Sequence, residues 1–323
     1  MEVSVGPRGE QQVGELGEFG LIRRVTAGRT PAPGTLLGPG DDAAVVAAPD
    51  GRVVVGTDVL VEGVHFRLNW STPHQVGRKT VAASLADVAA MGAVATALVV
   101  GLGCPARTPV STVDGLTAGM REEADRFGAD IVGGDVVTTE QVVLSLTALG
   151  DLQGRPPVTR AGARPGNVLA LCGRLGWAAA GLAVLGRGFR SPAAVVGAHR
   201  VPEPPYDAGP QAARAGATAM IDTSDGLLAD AGHVAEASGV GIDVSPATLP
   251  VPQRLVDVGS ALGVDPLHWV LTGGEDHALV ATFPSDVTLP AGWAVIGTVR
   301  EGSGVTVDGR PYDGPGGWDH FRT

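Results

Sequence analysis

Lysine is almost missing from this sequence. Of 23 basic side chains only Lys79 is a lysine, and it follows Gly77-Arg78. No Gly-Lys-Ser/Thr phosphate loop and no Val-Ala-Ile-Lys strand exists, so two common routes to ATP are excluded. Schiff-base chemistry would rest on Lys79 alone. Cysteine is equally sparse: Cys104 and Cys172 are far apart and lack zinc-type spacing, which fits buried thiols in a reduced, cytoplasmic protein. Charged residues make up only 18% of the chain, and 34 acidic against 23 basic groups leave a net charge of −11. That balance argues against a surface that coats nucleic acid or an anionic membrane. Long apolar runs are also few. Val88 to Ala106 carries no charge, yet Gly92, Gly101, Gly103 and Pro105 interrupt it. It reads as a helix end followed by a buried strand, Ala97 to Val100, not as a membrane span. Met1 to Gly14 is polar and glycine-rich, which reads as a disordered lead and not as a signal peptide.

What is present points to a two-domain globular protein: 323 residues, 44% of them hydrophobic. The polar, proline-containing stretch from Gln153 to Pro157 is the best linker, dividing the chain into 15–152 and 158–323. Helical spacing of Leu16, Phe19, Ile22 and Val25 predicts a first helix. Thr72-Pro73 predicts a helix start by cap and first-turn proline, running to about Met91. Thr112 to Phe127 reads as a helix ended by Gly128, and Leu227 to Ala237 as one stopped by Gly239. Asn167 to Cys172 reads as a strand and Trp177 to Leu185 as a helix.

Several apolar runs end in glycine or a hydroxyl residue and then a carboxylate. Thr35 to Gly40 delivers Asp41-Asp42, Val53 to Thr57 delivers Asp58, and Ile131 to Gly134 delivers Asp135. Ala219 to Ile221 delivers Asp222-Thr223-Ser224-Asp225, and Val270 to Gly274 delivers Glu275-Asp276. One such carboxylate is ordinarily a solvated turn residue. Five suggest ligands held at strand ends. Asp87 adds weight as the only charged residue between Lys79 and Arg107. A carboxylate among Leu85, Ala86, Val88, Ala89 and Ala90 needs a partner, either an arginine or a metal ion. Oxygen ligands without cysteine or histidine at matching spacing suit Mg²⁺ over Zn²⁺. The glycine pairs 133–134 and 273–274 and the start of the helix from Leu227 would offer amides to phosphate, and Arg160 a guanidinium.

Gly40-Asp41-Asp42-Ala43-Ala44, Thr57-Asp58 with Glu62-Gly63-Val64-His65-Phe66, and Ser84-Leu85-Ala86-Asp87 through Met91-Gly92-Ala93 resemble the thiamine-monophosphate kinase family. So do Gly17-Glu18-Phe19, Gly133-Gly134-Asp135, Thr159 to Ala163, Ile221 to Leu227, Gly273 to Asp276 and Gly317-Trp318-Asp319-His320-Phe321. The resemblance runs in order from about residue 15 to the end. It implies a mixed α/β (α+β), two-domain fold of the aminoimidazole ribonucleotide synthetase-like superfamily, with an N-terminal α/β domain pairing across a homodimer and a C-terminal α/β domain. It further implies that Asp42, Asp58, Asp87, Asp135, Asp222 and Asp225 hold several Mg²⁺ ions, with Gly56 and Thr57 adding oxygens. Gly134, Asp135, Arg160 and Ser224 would contact ATP, and His65, Glu275 and Trp318 thiamine monophosphate. Asp87, Asp135, Arg160 and Asp225 would carry the catalysis; an assisting K⁺ stays open. Gly56 stands where Ser or Thr is common in the family, so any ligand there is a carbonyl, and Ser84 replaces a frequent asparagine.

The acceptor phosphate is already anionic, so direct in-line transfer needs no general base. Sister activities of the superfamily fit less well. The first thiol, Cys104, lies too late for a selenide water dikinase, and the chain ends Phe321-Arg322-Thr323 without the cysteine tail of the hydrogenase-maturation proteins. The Gly-Trp-Asp-His-Phe ending disfavours the synthetase itself. A non-catalytic Mg²⁺–nucleotide binding module is the alternative from another class. No role follows from sequence for Asp41, Asp276 or His277.

Overall fold

Thr72 starts its helix as its type predicts. Its hydroxyl accepts from the Gln75 amide at 3.2 Å while the Gln75 side chain accepts from the Thr72 amide at 3.0 Å, a reciprocal cap just ahead of Pro73. This is seen in the computed structural model of the chain, which describes residues 11–28, 30–38, 44–314 and 316–318. Gly40, Asp41 and Asp42 lie outside the described residues, as do Asp319 to Phe321 and residues 1–10 of the expected lead. The described residues form two compact units, one within 1–47, 57–81 and 96–149 and the other within 48–56, 82–95 and 150–323.

In the first unit α1 (Val13–Thr26) is followed by a ribbon, β1 (Thr35–Leu37) and β2 (Val45–Val46), and then by β3 (Val54–Val61). Next come α2 (Pro73–Ala90), β4 (Val94–Cys104), α3 (Val110–Arg126), β5 (Asp130–Thr138) and β6 (Val143–Asp151). Strands pair in the order β3-β6-β4-β5, with β4 and β5 parallel. Along the chain β3, α2 and β4 each pass from one unit into the other. α1 begins at Val13, whose amide bonds Thr108, and it kinks at Gly17, where φ is 68°. One face of the sheet stays open: Val59, Val99 and Val137 are all exposed. Ala97 and Leu98 are buried as expected, but Val99 is not, because it points to that open face.

The second unit holds β7 (Asn167–Cys172), α4 (Trp177–Gly186), α5 (Ala193–Arg200), α6 (Ala208–Arg214), β8 (Ala219–Asp222), α7 (Leu227–Ser238) and β9 (Gly241–Val244). It ends with α8 (Gln253–Leu262), α9 (Pro266–Thr272), β10 (Leu279–Pro284), β11 (Trp293–Arg300) and β12 (Gly304–Val307). Its sheet runs β12-β9-β11-β7-β10-β8, antiparallel except for the β12–β9 pair. Both units mix helix and sheet, as the mixed α/β expectation requires. Both cysteines are buried. No helix among the described residues is long and apolar enough to cross a membrane.

Three strand-end expectations fail. β3 runs through Asp58 and β5 through Asp135, so both carboxylates lie within strands. The Val270–Leu271 run belongs to helix α9, whose start is set by Asp265 accepting from the Leu267 amide at 2.9 Å and by Pro266. Among the runs within the described residues, only that of β8 ends on its carboxylate, Asp222.

α2 and α3 cross in backbone contact. A Cβ at Gly77 would overlap the Leu116 carbonyl oxygen, and one at Gly119 the His74 carbonyl oxygen. The crossing is pinned by Arg78, which donates to the buried Glu123 carboxylate at 2.8 Å, with Arg126 at 3.2 Å. Gly119→Ala should therefore lower stability by about 1–3 kcal/mol. Gly197→Ala in α5, where the added carbon meets nothing within 4 Å, should be neutral or stabilise by about 0.5–1 kcal/mol. Chemical denaturation of both variants decides it; equal stabilities would refute the crossing.

Candidate active site

In the second unit two loops lie side by side. The strand pairing of β8 with β10 continues past Asp222: Thr223 donates to the Ala278 carbonyl at 2.8 Å, His277 to that of Thr223 at 3.0 Å, and Glu275 to that of Ser224 at 2.8 Å. This close approach needs glycine. A Cβ at Gly274 would overlap the Ser224 carbonyl, and one at Gly226, where φ is 127°, would come within 2.6 Å of the Thr272 carbonyl. It also holds Glu275 and His277 in the left-handed region, at φ 65° and 51°, which costs on the order of 1–3 kcal/mol for each non-glycine residue.

The result is a gathering of acidic groups. Asp222 is buried, and one of its carboxylate oxygens lies 2.9 Å from His277 Nδ1. Asp225 is half-buried at the entrance to α7. Asp230, one turn into α7, accepts from the amides of Asp225 at 3.1 Å and Gly226 at 2.9 Å. Burial, reinforced by the Asp222 and Asp225 charges, pushes its carboxyl up to about 8. Ligand atoms of Asp225, Asp230 and His233 all lie within 4.8 Å of one another. Burial disfavours charge on the His277 ring, but the hydrogen bond and charge of Asp222, with Glu275 and Asp87 beyond, raise its pKa above the ordinary value. Asp87 is half-buried in α2, and a Cβ at Gly56 would sit 3.7 Å from its Oδ2, ordinary contact distance.

Of the remaining candidates of this unit, Glu275 and Trp318 border the same loops, whereas Arg160 is anchored at Ser238, the far end of α7. Glu275 Oε2 lies 3.4 Å from Nδ1 of the buried His199. Trp318 donates its amide to the Asp225 carbonyl at 2.9 Å, while 60% of the residue is exposed. Arg160 is exposed; its carbonyl accepts from Ser238 at 2.8 Å, and the neighbouring Thr159 carbonyl accepts from Met220 of β8. Of the glycine-pair amides expected to face phosphate, one has a partner within the chain. Gly273 donates to Trp269, closing α9. Gly134 lies within β5, where a Cβ would overlap the Val100 carbonyl oxygen. The amides of Asp225, Gly226 and Ala229 at the start of α7 are likewise taken, by Asp230 and Gly316.

The first unit carries the other candidates. Thr57 is exposed on β3 and donates to the Leu146 carbonyl at 3.2 Å; Asp58 follows on the opposite face of the strand. Asp135 is exposed on β5, paired opposite Gly101, and accepts from the Val136 amide at 2.8 Å. His65 Nδ1 accepts from the Val61 amide at 3.1 Å, which leaves Nε2 to carry the proton of the neutral ring. The lone lysine, Lys79, is buried and donates to the His65 carbonyl at 3.0 Å.

Sequence reasoning missed Asp230, Asp276, His277 and His199. Asp230 had a usable signal, since it stands among Leu227, Leu228 and Ala231 much as Asp87 stands in its own helix. Asp276 caps α4, accepting from Trp177 at 3.1 Å and Ala178 at 2.9 Å. Burial pushes its carboxyl up to about 7 against those amide bonds.

Asp230 generates a pH prediction. Its folded pKa lies above the unfolded one, so between about pH 4 and 8 the folded chain holds a proton that the unfolded chain has lost. The stability this gives at low pH is lost as pH rises through that window. Without divalent metal, the thermal midpoint should fall from pH 5 to pH 8. Asp230→Asn keeps an acceptor oxygen and should flatten most of the fall, the rest coming from Asp276 and His277. A midpoint with the wild-type slope in that variant would refute the assignment.

Residues 40–152 match the family model of the AIR synthase related protein, N-terminal domain. The thiamine-monophosphate kinase of Mycobacterium tuberculosis (strain H37Rv) is 55% identical over 309 residues, covering 95% of this chain and 92% of that protein. That of Corynebacterium glutamicum is 41% identical over 96% of this chain and 95% of its own. Among solved structures, AaThiL complexed with AMPPCP and TMP superposes with a TM-score of 0.80 at 32% identity, covering 96% of this chain and 99% of that one. By identity and coverage together, this chain belongs to the thiamine-monophosphate kinase family.

Proposed function

We propose that the chain transfers the terminal phosphoryl group of ATP directly to the phosphate of thiamine monophosphate, giving thiamine diphosphate and ADP. The observation that carries this is the family relation at 55% identity across nearly the whole chain. The solved relative with AMPPCP, an ATP analogue, and TMP supports both substrates. The chemistry asks little of a base, because the attacking phosphate oxygen is already anionic. It asks instead for two polyanions to be held in line and their repulsion cancelled.

The donor set fits Mg²⁺. Asp222 and Asp225 bring carboxylates into one loop, with Asp87 beside Gly56 in the same unit, and hard oxygen donors suit that ion. Bound there, Mg²⁺ would neutralise phosphate charge and polarise the transferring group. Asp42, Asp58, Asp135, Asp222, Asp225 and Asp87 hold the ions in this reading, with the Gly56 carbonyl and Thr57. Arg160, Gly134, Asp135 and Ser224 orient ATP. Of these, Asp87, Asp135, Arg160 and Asp225 carry the catalytic burden by fixing the reacting phosphates. His65, Glu275 and Trp318 receive thiamine; an exposed indole and a carboxylate suit a cationic thiazolium ring. Residues 15–152 and 158–323 would be the two domains, working as a cytoplasmic homodimer. The open sheet face with Val59, Val99 and Val137 supports the pairing, since a large exposed apolar patch marks an interaction surface.

The test is ADP release in the presence of ATP and Mg²⁺ with thiamine, thiamine monophosphate or no acceptor. Release should depend on thiamine monophosphate; equal rates with free thiamine would reject the reading, and binding of ATP without release would favour a non-catalytic module. Asp87→Asn should lose nearly all turnover with an unchanged metal-free melting temperature. Trp318→Ala should raise the acceptor KM roughly five- to thirtyfold, about 1–2 kcal/mol, and leave the ATP KM alone. For the dimer, Val137→Lys should sediment as a monomer; a wild-type sedimentation coefficient would exclude that face.

A further inference from the structure

We propose that His277 is a positioning residue for Asp222: its Nδ1–H holds one carboxylate oxygen and so leaves the other for a cation. The inference rests on the Mg²⁺ reading above and extends it to a residue with no other assigned role. A carboxylate turns about its last side-chain bond in a broad well, so a buried ligand with several acidic neighbours needs an outside hold on its orientation. His277 supplies one. Nδ1 is 2.9 Å from Asp222 Oδ2, and both side chains are almost wholly buried. Because a carboxylate only accepts, the hydrogen lies on Nδ1.

The backbone that carries the ring is itself fixed. The His277 amide donates to the Thr223 carbonyl, the Thr223 amide to the Ala278 carbonyl, and the Ala278 amide to the Thr223 hydroxyl at 3.0 Å. Leu279 then pairs with Asp222 in the ladder of β10 and β8. The histidine and the carboxylate it holds are thus two ends of one hydrogen-bonded frame. The frame keeps His277 at φ 51°, a conformation that persists only where the surroundings over-determine it. A histidine needed merely to fill space would not require that backbone. Groups that orient a metal ligand in this way commonly change metal affinity 10- to 100-fold when removed.

The experiment uses Mn²⁺, followed by the loss of the free-ion electron paramagnetic resonance signal on titration with the full chain. His277→Phe keeps a ring and removes the donor. His277→Asn keeps a donor at the same distance from the backbone and tolerates the left-handed conformation. Relative to wild type, Phe should weaken Mn²⁺ binding roughly 10- to 100-fold and Asn by no more than about threefold. Should the Phe variant fail to fold by circular dichroism, His277→Gly, which accepts the same backbone without a donor, takes its place with the same expected loss. Wild-type affinity in the donor-free variant overturns the proposal, even with a lowered metal-free melting temperature, because that pattern is structural. So does an Asn variant as weak as Phe. Wild type that binds no Mn²⁺ overturns the metal reading and this inference with it.

Discussion

Everything at the acidic end of the second unit depends on two loops pressed into backbone contact. Asp222 to Gly226 and Gly273 to His277 share hydrogen bonds at 2.8 to 3.0 Å, and that spacing admits no side chain at Gly226 or Gly274. Contact between the loops puts Glu275 and His277 in left-handed conformations and brings carboxylates from separate parts of the chain together. Two groups in the cluster answer the crowding differently. Asp222 has a histidine beside it, whereas Asp230 meets two backbone amides and still retains a proton up to about pH 8. A scaffold that tolerates this much like charge is stabilised elsewhere. β10, β7 and β8 are buried almost throughout, and α4, α5, α8 and α9 pack against one another beside them.

Local signals in the sequence located α1 to α4 and α7, because caps act over one turn, but not α5, α6, α8 or α9. Thr72, Pro73 and Gln75 start α2, while Gly128 and Gly239 adopt φ of 71° and 65° at the ends of α3 and α7. Asp87 stood out by its isolation, and the structure leaves it half-buried among buried neighbours. What stayed hidden was long-range. Asp276 caps α4 across 98 residues of chain, and nothing in its own neighbourhood announces the helix it serves. His277 gains its meaning from Asp222, 55 residues away. The strand-end pattern misled for a different reason. A glycine before a carboxylate reads as a turn, but in β5 Gly133 and Gly134 pair with Val99 and Val100 of β4, just past a register shift that leaves out Val132.

That shift bears on how phosphate is handled. Glycines beside acidic residues suggest a loop whose bare amides cradle anions. Here the Gly273 amide is spent on closing α9, Gly274 and Gly134 give clearance to carbonyls, and the amides of Asp225, Gly226 and Ala229 are occupied by Asp230 and Gly316. The amides of Gly273, Asp225, Gly226 and Ala229 are thus not available to a triphosphate. Nor does lysine provide it, since the single lysine is buried against the His65 carbonyl. Under the proposed reaction, the positive charge facing two polyanions must then come from divalent ions held by the carboxylates and from guanidinium groups such as Arg160. The scarcity of lysine and the abundance of aspartate at these loops are therefore one fact seen from two sides. In the proposed reaction the counter-charge is exchangeable metal, and the protein's own groups serve mainly to fix where that metal sits.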